Sequence, residues 1–290
     1  MTHKFSKQIR FKEGDGLLHG FSTGAVKVKS KFRTAKGNVL TSKINFLLDD
    51  EWTEYMPIMV WVIQHPEGVF VIDTGENVQV SEPGYFKQEG FFLNYINTRS
   101  FVFEVAPEEE VGPQLERLGY QERDVKSVIL THLHLDHLDG LKYFENTEVI
   151  VNDMEWEKPN FALPSLYPKW FQPKKVRLGE SKEDHFKNSL ALVESGEIRL
   201  VHTPGHTMGH CSVFIETSEL DYFLAGDVTY NQHQLENNIH AGGHQSFVKS
   251  KETYRAIKRY AFKNRLVYLP SHDNFGIDRL MRDQYLMKLD

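Results

Sequence analysis

The stretch ILTHLHLDHLDGL (129–141) places three histidines and two aspartates within eight positions, directly after an apolar run. In an extended segment alternate residues share a face, so His132 and His134 point to one spot. Asp136 and His137 follow at a turn that brings a carboxylate and another imidazole beside that spot. Imidazole nitrogens and carboxylate oxygens are ligands of zinc and related divalent ions. The spacing therefore predicts one part of a metal site.

Three further candidate ligands follow apolar strand patterns downstream, each close to a glycine or proline. His206 lies in the turn TPGHTMGH, Asp227 follows a glycine, and His272 follows LPS. A catalytic zinc ion usually has three protein ligands and one open position, so a pair of ions needs ligands from several segments. The single cysteine, Cys211, excludes a thiolate cluster, so any metal must be held by histidine and carboxylate.

The elements that must position these residues are mainly apolar strands. The segment 56–75 predicts two strands joined by a turn, and its nearly continuous apolar character is typical of strands covered on both faces in a layered α/β fold. Further predicted strands are 127–130, 147–152, 198–203, 211–217, 221–227 and 265–273. Predicted helices are 107–119, the stretch after Asp136, and the basic segment 249–265. We expect one domain over residues 1–290.

Two aromatic-rich segments, near 80–103 and 156–175, fit neither a strand nor a helix pattern. Segments this apolar are unusual for loops, so we interpret them as insertions that cover a pocket or a partner subunit. Their aromatic side chains could line a substrate trough, although a core or dimer contact is the more ordinary role for most of them. They are Phe86, Phe91, Phe92, Tyr95, Phe101, Phe103, Trp156, Phe161, Trp170 and Phe171.

Composition limits the remaining functional classes. The 290 residues carry a formal net charge of −6, which argues against a general nucleic-acid binder. The basic segment 249–265 is best interpreted as an amphipathic helix with a solvated face. No stretch approaches the roughly 20 apolar residues of a membrane helix, and the first residues lack the apolar core of a signal peptide. We therefore expect a cytoplasmic protein with neither a nucleic-acid nor a membrane partner.

The predicted metal ligands resemble the dinuclear zinc site of the metallo-β-lactamase superfamily, over roughly residues 56–275. The resemblance implies an αβ/βα sandwich of two packed mixed sheets flanked by helices. It also implies two Zn²⁺ ions, although cobalt, manganese or iron suit similar ligands. One ion would be held by His132, His134 and His206. The other would be held by Asp136, His137 and His272, with Asp227 and a hydroxide bridging the two ions.

Tyr230 carries the resemblance to one branch of that superfamily. It follows the bridging aspartate by three residues, as in the quorum-quenching N-acyl-homoserine lactone lactonases. The β-lactam-cleaving enzymes that use a cysteine ligand, or that lack the bridging aspartate, do not match. The lactonase resemblance implies attack of the bridging hydroxide on a lactone carbonyl. Tyr230 would stabilise the oxyanion, Asp136 or a nearby water would deliver the proton to the leaving oxygen, and the enzyme would form a homodimer.

Three alternatives remain open. A glyoxalase II-like thioester or other ester hydrolase would share the metal ligands, but it predicts that Tyr230 faces away from the metals and that a cationic patch awaits an anionic substrate. A nuclease predicts that the basic helix 249–265 borders the metal cleft. A protein that binds metal without catalysis has no need of the candidate oxyanion partner.

Other polar residues near the predicted ligands are expected to support the metal site rather than to bind metal. Asp73 resembles the family's strand-end aspartate, which orients a ligand by hydrogen bonding. His202 and His210 flank the turn that holds His206, and we expect them to be structural. The remaining histidines after Tyr230 are expected at the pocket rim or on the surface. They are His233, His240 and His244.

Overall fold

The structure, a computed structural model, describes residues 5–180, 186 and 188–286. Within these residues, fourteen strands form two sheets. The first sheet contains β1 (Phe5–Phe11), β2 (Gly14–Val28), β3 (Met56–His65), β4 (Gly68–Ile72), β5 (Phe101–Glu104), β6 (Val125–Ile129), β7 (Glu148–Asn152) and β8 (Lys174–Val176). The second contains β9 (Gly179–Glu180), β10 (Asn188–Ala191), β11 (Ile198–His202), β12 (Cys211–Ile215), β13 (Asp221–Gly226) and β14 (Leu266–Pro270).

Helices cover the outer faces of the sheets and connect the strands. The α-helices are α1 (Ser30–Arg33), α2 (Val39–Leu47), α3 (Gly90–Ser100), α4 (Val111–Leu118), α5 (Leu135–Leu138), α6 (Asp153–Glu157), α7 (Gln232–Asn237), α8 (Phe247–Lys263) and α9 (Gly276–Met281). Short 3₁₀ segments are Val78–Ser81, Tyr85–Glu89, Pro107–Glu109, Glu122–Asp124, Asp139–Tyr143 and Pro164–Leu166. Among the residues described, every helix is too short or too polar to cross a membrane.

Both sheets are mixed. The first runs β1-β2-β3-β4-β6-β7-β8, with β5 paired to β2, and it changes from antiparallel to parallel pairing at β4. The second runs β14-β13-β12-β11-β10-β9, and only the pair β13 and β14 is parallel. The predicted αβ/βα sandwich of two packed mixed sheets flanked by helices is confirmed.

Strand β3 shows why the predicted strands are almost continuously apolar. Its alternate residues Trp61 and Ile63 pack in the core between the sheets, whereas Val60 and Val62 pack under the helices outside the first sheet. Because side chains alternate across a strand, a strand with both faces covered needs apolar residues at every position. Burying each such side chain contributes about 1.5–3 kcal/mol.

Most predicted elements are present close to their expected bounds, but one helix is not. The stretch after Asp136 forms a single α turn, α5, which continues as the 3₁₀ segment Asp139–Tyr143. The basic segment does form a helix, α8, and the Ser246 hydroxyl caps it by accepting from the Lys249 N–H at 3.2 Å. Its apolar side, with Tyr254 and Ile257, packs on the second sheet.

Candidate metal centre

The seven predicted ligands follow strand ends that meet at one edge of the sandwich. Four of them come after β6 of the first sheet: His132, His134, Asp136 and His137. His206, Asp227 and His272 come after β11, β13 and β14 of the second. Strands β11 and β13 are each antiparallel to β12 and so share a direction, and β14 is parallel to β13. The fold therefore brings ligand candidates from both sheets to the same place.

Three histidines form the first group. His206 Nε2 lies 3.2 Å from His132 Nε2 and 2.9 Å from His134 Nδ1. One ring nitrogen of each lies within 4.8 Å of the others, a spacing that suits one metal ion. His132 and His206 are buried and His134 is partly exposed. This grouping matches the predicted set for one ion.

Asp136, His137 and His272 form the second group, again with one ligand atom each within 4.8 Å of the others. His272 Nε2 lies 3.4 Å from Asp136 Oδ2, and His137 Nε2 lies 3.9 Å from Asp136 Oδ1. Asp136 keeps 21% of its side chain exposed, whereas both histidines are buried. The carboxylate of Asp136 thus forms the solvent side of the second group.

Asp227 lies between the two groups. Its Oδ1 is 3.3 Å from both His137 Nε2 and His272 Nε2, and its Oδ2 is 3.4 Å from His206 Nε2. Within the described part of the chain, the buried atoms His137 Nε2 and Asp227 Oδ1 have no hydrogen-bond partner. Leaving such atoms unpaired is costly, and a cation between them would satisfy both. The residues therefore fit a pair of divalent metal ions.

Asp73 holds His137 in place, as expected from the sequence. The His137 Nδ1–H donates to Asp73 Oδ2 at 2.7 Å, which directs Nε2 toward the cluster. The Thr131 N–H and hydroxyl also donate to the two oxygens of Asp73, at 2.8 and 2.9 Å. Asp73 itself has a positive φ of 59°, a conformation that aspartate and asparagine adopt more readily than most residues.

Each of three other histidines uses the ring nitrogen that points away from the cluster to contact a protein oxygen. The pairs are His132 Nδ1 with Thr131 Oγ1 at 3.0 Å, His134 Nε2 with the Asn160 carbonyl at 2.8 Å, and His272 Nδ1 with the Pro57 carbonyl at 2.9 Å. Such contacts fix the tautomer and leave the lone pair of the other nitrogen directed into the site.

The pKa values of histidines in the two groups shift in opposite directions. Burial, followed by the neighbouring histidines, lowers the pKa of His132 well below its usual value. Against the lowering effect of burial, Asp227 and Asp136 raise the pKa of His272 to about 10. Burial opposes ionisation of Asp227, but His272 and His137 hold the pKa of that carboxyl well below its usual value. A metal that binds the second group must therefore displace a proton, so metal binding depends on pH.

His210 supports Asp227 through a hydrogen-bond chain with a defined direction. The Asp227 N–H donates to His210 Nε2 at 3.0 Å, so the ring proton is on Nδ1 and donates to Thr203 Oγ1 at 2.9 Å. The Thr203 hydroxyl then donates to Ser212 Oγ at 2.8 Å, and the Ser212 hydroxyl donates to the Ala225 carbonyl at 3.0 Å. Burial lowers the pKa of His210 to about 3, which keeps the ring neutral.

The position of His210 beside the Asp227 backbone explains why residue 226 is a glycine. Gly226 has φ of 56°, and a Cβ at this position would lie 2.7 Å from His210 Nε2. A larger residue would be strained and would push away the histidine that holds the backbone of Asp227.

The expected rim or surface position is wrong for His244, which is buried. Its Nδ1 lies 2.8 Å from Ser250 Oγ, and its ring packs 5.4 Å from the ring of His206. His233 is exposed and His240 is partly buried. His202, expected to be structural, pairs its Nε2 with the Met208 carbonyl at 2.9 Å and lies outside the cluster.

A cavity beside the cluster is open to solvent, and its empty space, including the solvent-filled mouth, measures about 840 Å³. Asp136, Asp227, His272 and Tyr230 lie at its polar end. Its other walls are largely apolar and include Val26, Val28, Phe32, Phe46, Met56, Phe86, Ile96, Phe101, Phe103, Leu135, Phe161 and Leu163. Of the aromatic residues proposed to line a trough, Phe86, Phe101, Phe103 and Phe161 do so. Phe171 is buried in the core, and Trp156 and Trp170 are partly buried and pack against it.

The N-terminal wall of this cavity was not anticipated from the sequence. It comes from β2, α1, α2 and the start of β3, and its aromatic members are Phe32 and Phe46. The Phe32 ring lies 4.9 Å from that of Phe46 and is stacked 6.3 Å from that of Tyr230. The apolar spacing of Leu40, Ile44 and Leu47 is the signal that could have revealed α2.

The basic face of α8 lies on a different groove. That groove is lined by Lys249, Arg255, Arg259 and Lys263, together with His202 and Met208. The residues lining the cavity beside the cluster include none from α8. A nuclease would require this helix to border the metal cleft. The helix does not border it, so the nuclease alternative loses its support.

Cys211 is buried in the core between the sheets, with its Sγ 3.4 Å from the Gly209 carbonyl. We expect Cys211→Ser to leave metal content unchanged and to lower the free energy of unfolding by about 1–3 kcal/mol, because the hydroxyl is more costly to bury. Metal analysis and denaturant unfolding of the variant check this. Loss of metal without loss of folding would show that the sulfur is a ligand.

The chain matches proteins of known family. The model of the metallo-beta-lactamase superfamily matches residues 55–272. An N-acyl homoserine lactonase from a Bacillus species is 26% identical over 219 residues, covering 75% of this chain and 82% of the relative. The lactonase AttM from Rhizobium radiobacter is also 26% identical, over 233 residues that cover 75% of this chain and 82% of the relative.

Solved structures show the same fold. An N-acyl homoserine lactone hydrolase with its product N-hexanoyl-L-homoserine at the catalytic metal centre has a TM-score of 0.71 and 20% identity, covering 89% of this chain and 93% of the other. The dizinc lactonase AidC has a TM-score of 0.64 and 17% identity, covering 94% and 92%. The extent of the family match, together with the shared fold, places this chain in the metallo-beta-lactamase superfamily.

Proposed function

We propose that this protein is a dinuclear zinc hydrolase that opens the lactone ring of N-acyl-homoserine lactones. The observation that carries the proposal is the position of Tyr230. It lines the same cavity as Asp136, Asp227 and His272, where an apolar wall meets the candidate metal ligands. The curated relatives that carry the name N-acyl homoserine lactonase support this choice of substrate.

The two groups of ligands would hold one divalent ion each, with Asp227 between them. His132, His134 and His206 form one group and Asp136, His137 and His272 form the other. When bound, such ions activate water near neutral pH and supply positive charge for a developing oxyanion. We propose zinc because five of the seven ligands are histidines, although cobalt, manganese and iron bind similar sets.

Asp73→Asn tests whether His137 needs its carboxylate partner. The amide can occupy the positive φ of this position, but it binds the His137 Nδ1–H less strongly. We expect metal affinity to fall by about 10–100-fold, the usual effect of losing the partner of a ligand. Titration with a competing chelator measures this change. Unchanged affinity would remove Asp73 from the support of the site.

Tyr230 is suited to donate a hydrogen bond to an oxyanion. Burial, followed by the charges of Asp227 and Asp136, raises the pKa of Tyr230 well above its usual value, so the hydroxyl stays protonated. The Tyr230 N–H donates to Gln234 Oε1 at 2.8 Å, and the ring packs 5.3 Å from the ring of His272. These contacts hold Tyr230 at the metal end of the cavity, where we propose that the lactone carbonyl binds.

Asp136 is the proposed proton carrier. Of the two carboxylates in the cluster, it is the more exposed, and it faces the cavity. Opening of the ring leaves an alkoxide that needs a proton, and a carboxyl at the cavity edge can deliver one from solvent. Asp227 is less suited to this role because its carboxylate is enclosed by His137, His206 and His272.

The walls of the cavity favour a neutral substrate with an apolar chain. The residues that line it include no lysine or arginine, so the cationic patch that an anionic thioester substrate would need is missing from this lining. Tyr230 also lies at the metal end of the cavity, in contrast to the expectation for a thioesterase. Phe46, Phe101 and Phe103 offer an apolar surface to an acyl chain.

Hydrolysis of a short-chain and a long-chain acyl-homoserine lactone tests the proposal. The purified protein is first analysed for metal, and acid release is followed with a pH indicator. We expect ring opening that a chelator abolishes and that added zinc restores. If the protein holds two metal ions and opens neither lactone, the assignment fails, and thioesters become the next substrates to assay.

A further inference from the structure

An exposed apolar rim surrounds the mouth of the cavity. We define the rim as α2, α3 and the segment 158–163. Its large apolar side chains project into solvent with exposed fractions of 70% for Leu40, 50% for Ile44, 43% for Leu47, 88% for Phe91, 65% for Phe92, 52% for Tyr95 and 45% for Phe161. Concentrations of exposed apolar side chains on this scale mark interaction surfaces.

Contacts join the parts of the rim to one another and to the cavity. Lys43 Nζ of α2 lies 5.6 Å from the ring centre of Phe161. Glu89, which precedes α3, accepts from the Ser165 N–H at 3.0 Å, just beyond the third segment. Phe46 of α2 and Ile96 of α3 line the cavity, as does Phe161. The exposed apolar surface is therefore continuous with the cavity walls.

The charged side chains of the rim are all positive. They are Lys43, Arg99 and Lys158, and the three rim segments contain no aspartate or glutamate. The chain as a whole has 40 acidic and 34 basic residues and is therefore net negative, whereas the three rim segments are net positive. At the borders, Asp50 pairs with Arg99 at 3.2 Å, Glu89 accepts from the Ser165 N–H, and Glu157 directly precedes Lys158. Lys43 and Lys158 are therefore the rim cations that have no ion pair among the described residues.

We propose that the rim docks on an anionic lipid surface. Aromatic and aliphatic side chains projecting from short helices enter the boundary of the headgroups and acyl chains, while lysine and arginine contact the anionic headgroups. The mouth of the cavity would then face the lipid. This proposal does not depend on the proposed function. It departs from the expectation of no membrane partner, which considered only membrane-spanning segments and a signal peptide, not a surface that binds lipid.

A second copy of the chain fits the rim less well than lipid does. In a twofold dimer the same patch meets itself, so Lys43 and Lys158 of one copy would meet a surface that carries the same cations and no aspartate or glutamate. Like charges placed opposite one another disfavour such a contact. Such a dimer would also cover the mouth of the cavity.

Sedimentation with vesicles tests the proposal without any substrate. The metal-loaded protein is mixed with vesicles of phosphatidylcholine alone or of phosphatidylcholine with phosphatidylglycerol, at low and high salt. We expect binding to the phosphatidylglycerol vesicles that weakens with salt. The double variant Phe91→Ala and Phe92→Ala should bind at least about tenfold more weakly. Lys43→Gln with Lys158→Gln should reduce the preference for phosphatidylglycerol.

Phe262→Ala is the matched control, because Phe262 is 51% exposed but lies on α8, outside the rim. It should bind vesicles as the unaltered chain does. Absence of sedimentation with either vesicle would overturn the proposal. So would equal binding by the double variant, or a dimer in analytical ultracentrifugation that the double variant disrupts, since the second copy would then be the occupant. Vesicle binding is measured without lactone, so the rim proposal can hold even if the protein opens no lactone.

Discussion

Asp227→Asn is expected to lower metal content and lactone hydrolysis together. The carboxylate lies within 3.4 Å of a histidine of each metal group, so its loss removes a ligand and a negative charge from both. Losing only the partner of a ligand costs about 10–100-fold in affinity, and losing a shared ligand should cost more. Metal analysis after dialysis and the rate of acid release measure the two effects.

The matched control is Asp50→Asn, which makes the same chemical change at an exposed aspartate. Its pair with Arg99 is at the surface, so metal content and rate should stay unchanged. If the Asp227 variant kept two metal ions and normal turnover, the proposed ligand set would be wrong.

Tyr230→Phe is expected to leave the metal content intact and to slow lactone opening. The substitution removes only the hydroxyl and keeps the ring contacts with Phe32 and His272. If the hydroxyl acts as a strong oxyanion donor, the barrier rises by about 2.7–4 kcal/mol, and by less if the metals carry most of the charge. The effect should appear in kcat, because the contact strengthens in the transition state.

Tyr285→Phe provides the comparison for this variant, because Tyr285 is exposed and lies outside the cavity lining. It should show normal kinetics. A Tyr230 variant with an unchanged rate would remove the hydroxyl from the mechanism and would favour an ester hydrolase that does not use it.

The candidate metal ligands could be found in the sequence because local rules mark them. His132 and His134 alternate in one extended segment, and the downstream candidates stand where apolar strands stop. The grouping into two sets of three, with Asp227 between them, came from the family resemblance, and the distances agree with it. The supporting role of Asp73 came from the same resemblance, and the structure places Asp73 directly after β4.

Strand β2 of the N-terminal cavity wall could not be predicted, because it has a weak local signal. Strand β2 contains four glycines and a shift in register between Ser22 and Ala25, so neither propensity nor alternation marks it. Pairing with β1 and β5 on one side and β3 on the other forms the strand. Such long-range pairing leaves no trace in a window of neighbouring residues.

His244 shows the same limit on a smaller scale. Its sequence surroundings, NNIHAGGHQSF, are polar and rich in glycine, which favours an exposed loop. Its burial comes from residues elsewhere in the fold, the ring of His206 and the hydroxyl of Ser250. The predictions of a single domain and of a homodimer stay predictions.

The candidate ligands come from both sheets. Metal binding would therefore stabilise the folded state. With four candidate ligands after β6 of the first sheet and three after strands of the second, bound ions would link the two sheets of the sandwich. Only the folded chain brings these ligands together. By mass action, a metal ion at 100 times its Kd would therefore add about 2.7 kcal/mol to the free energy of unfolding. A metal-starved cell would then lose the protein to proteolysis as well as losing its turnover.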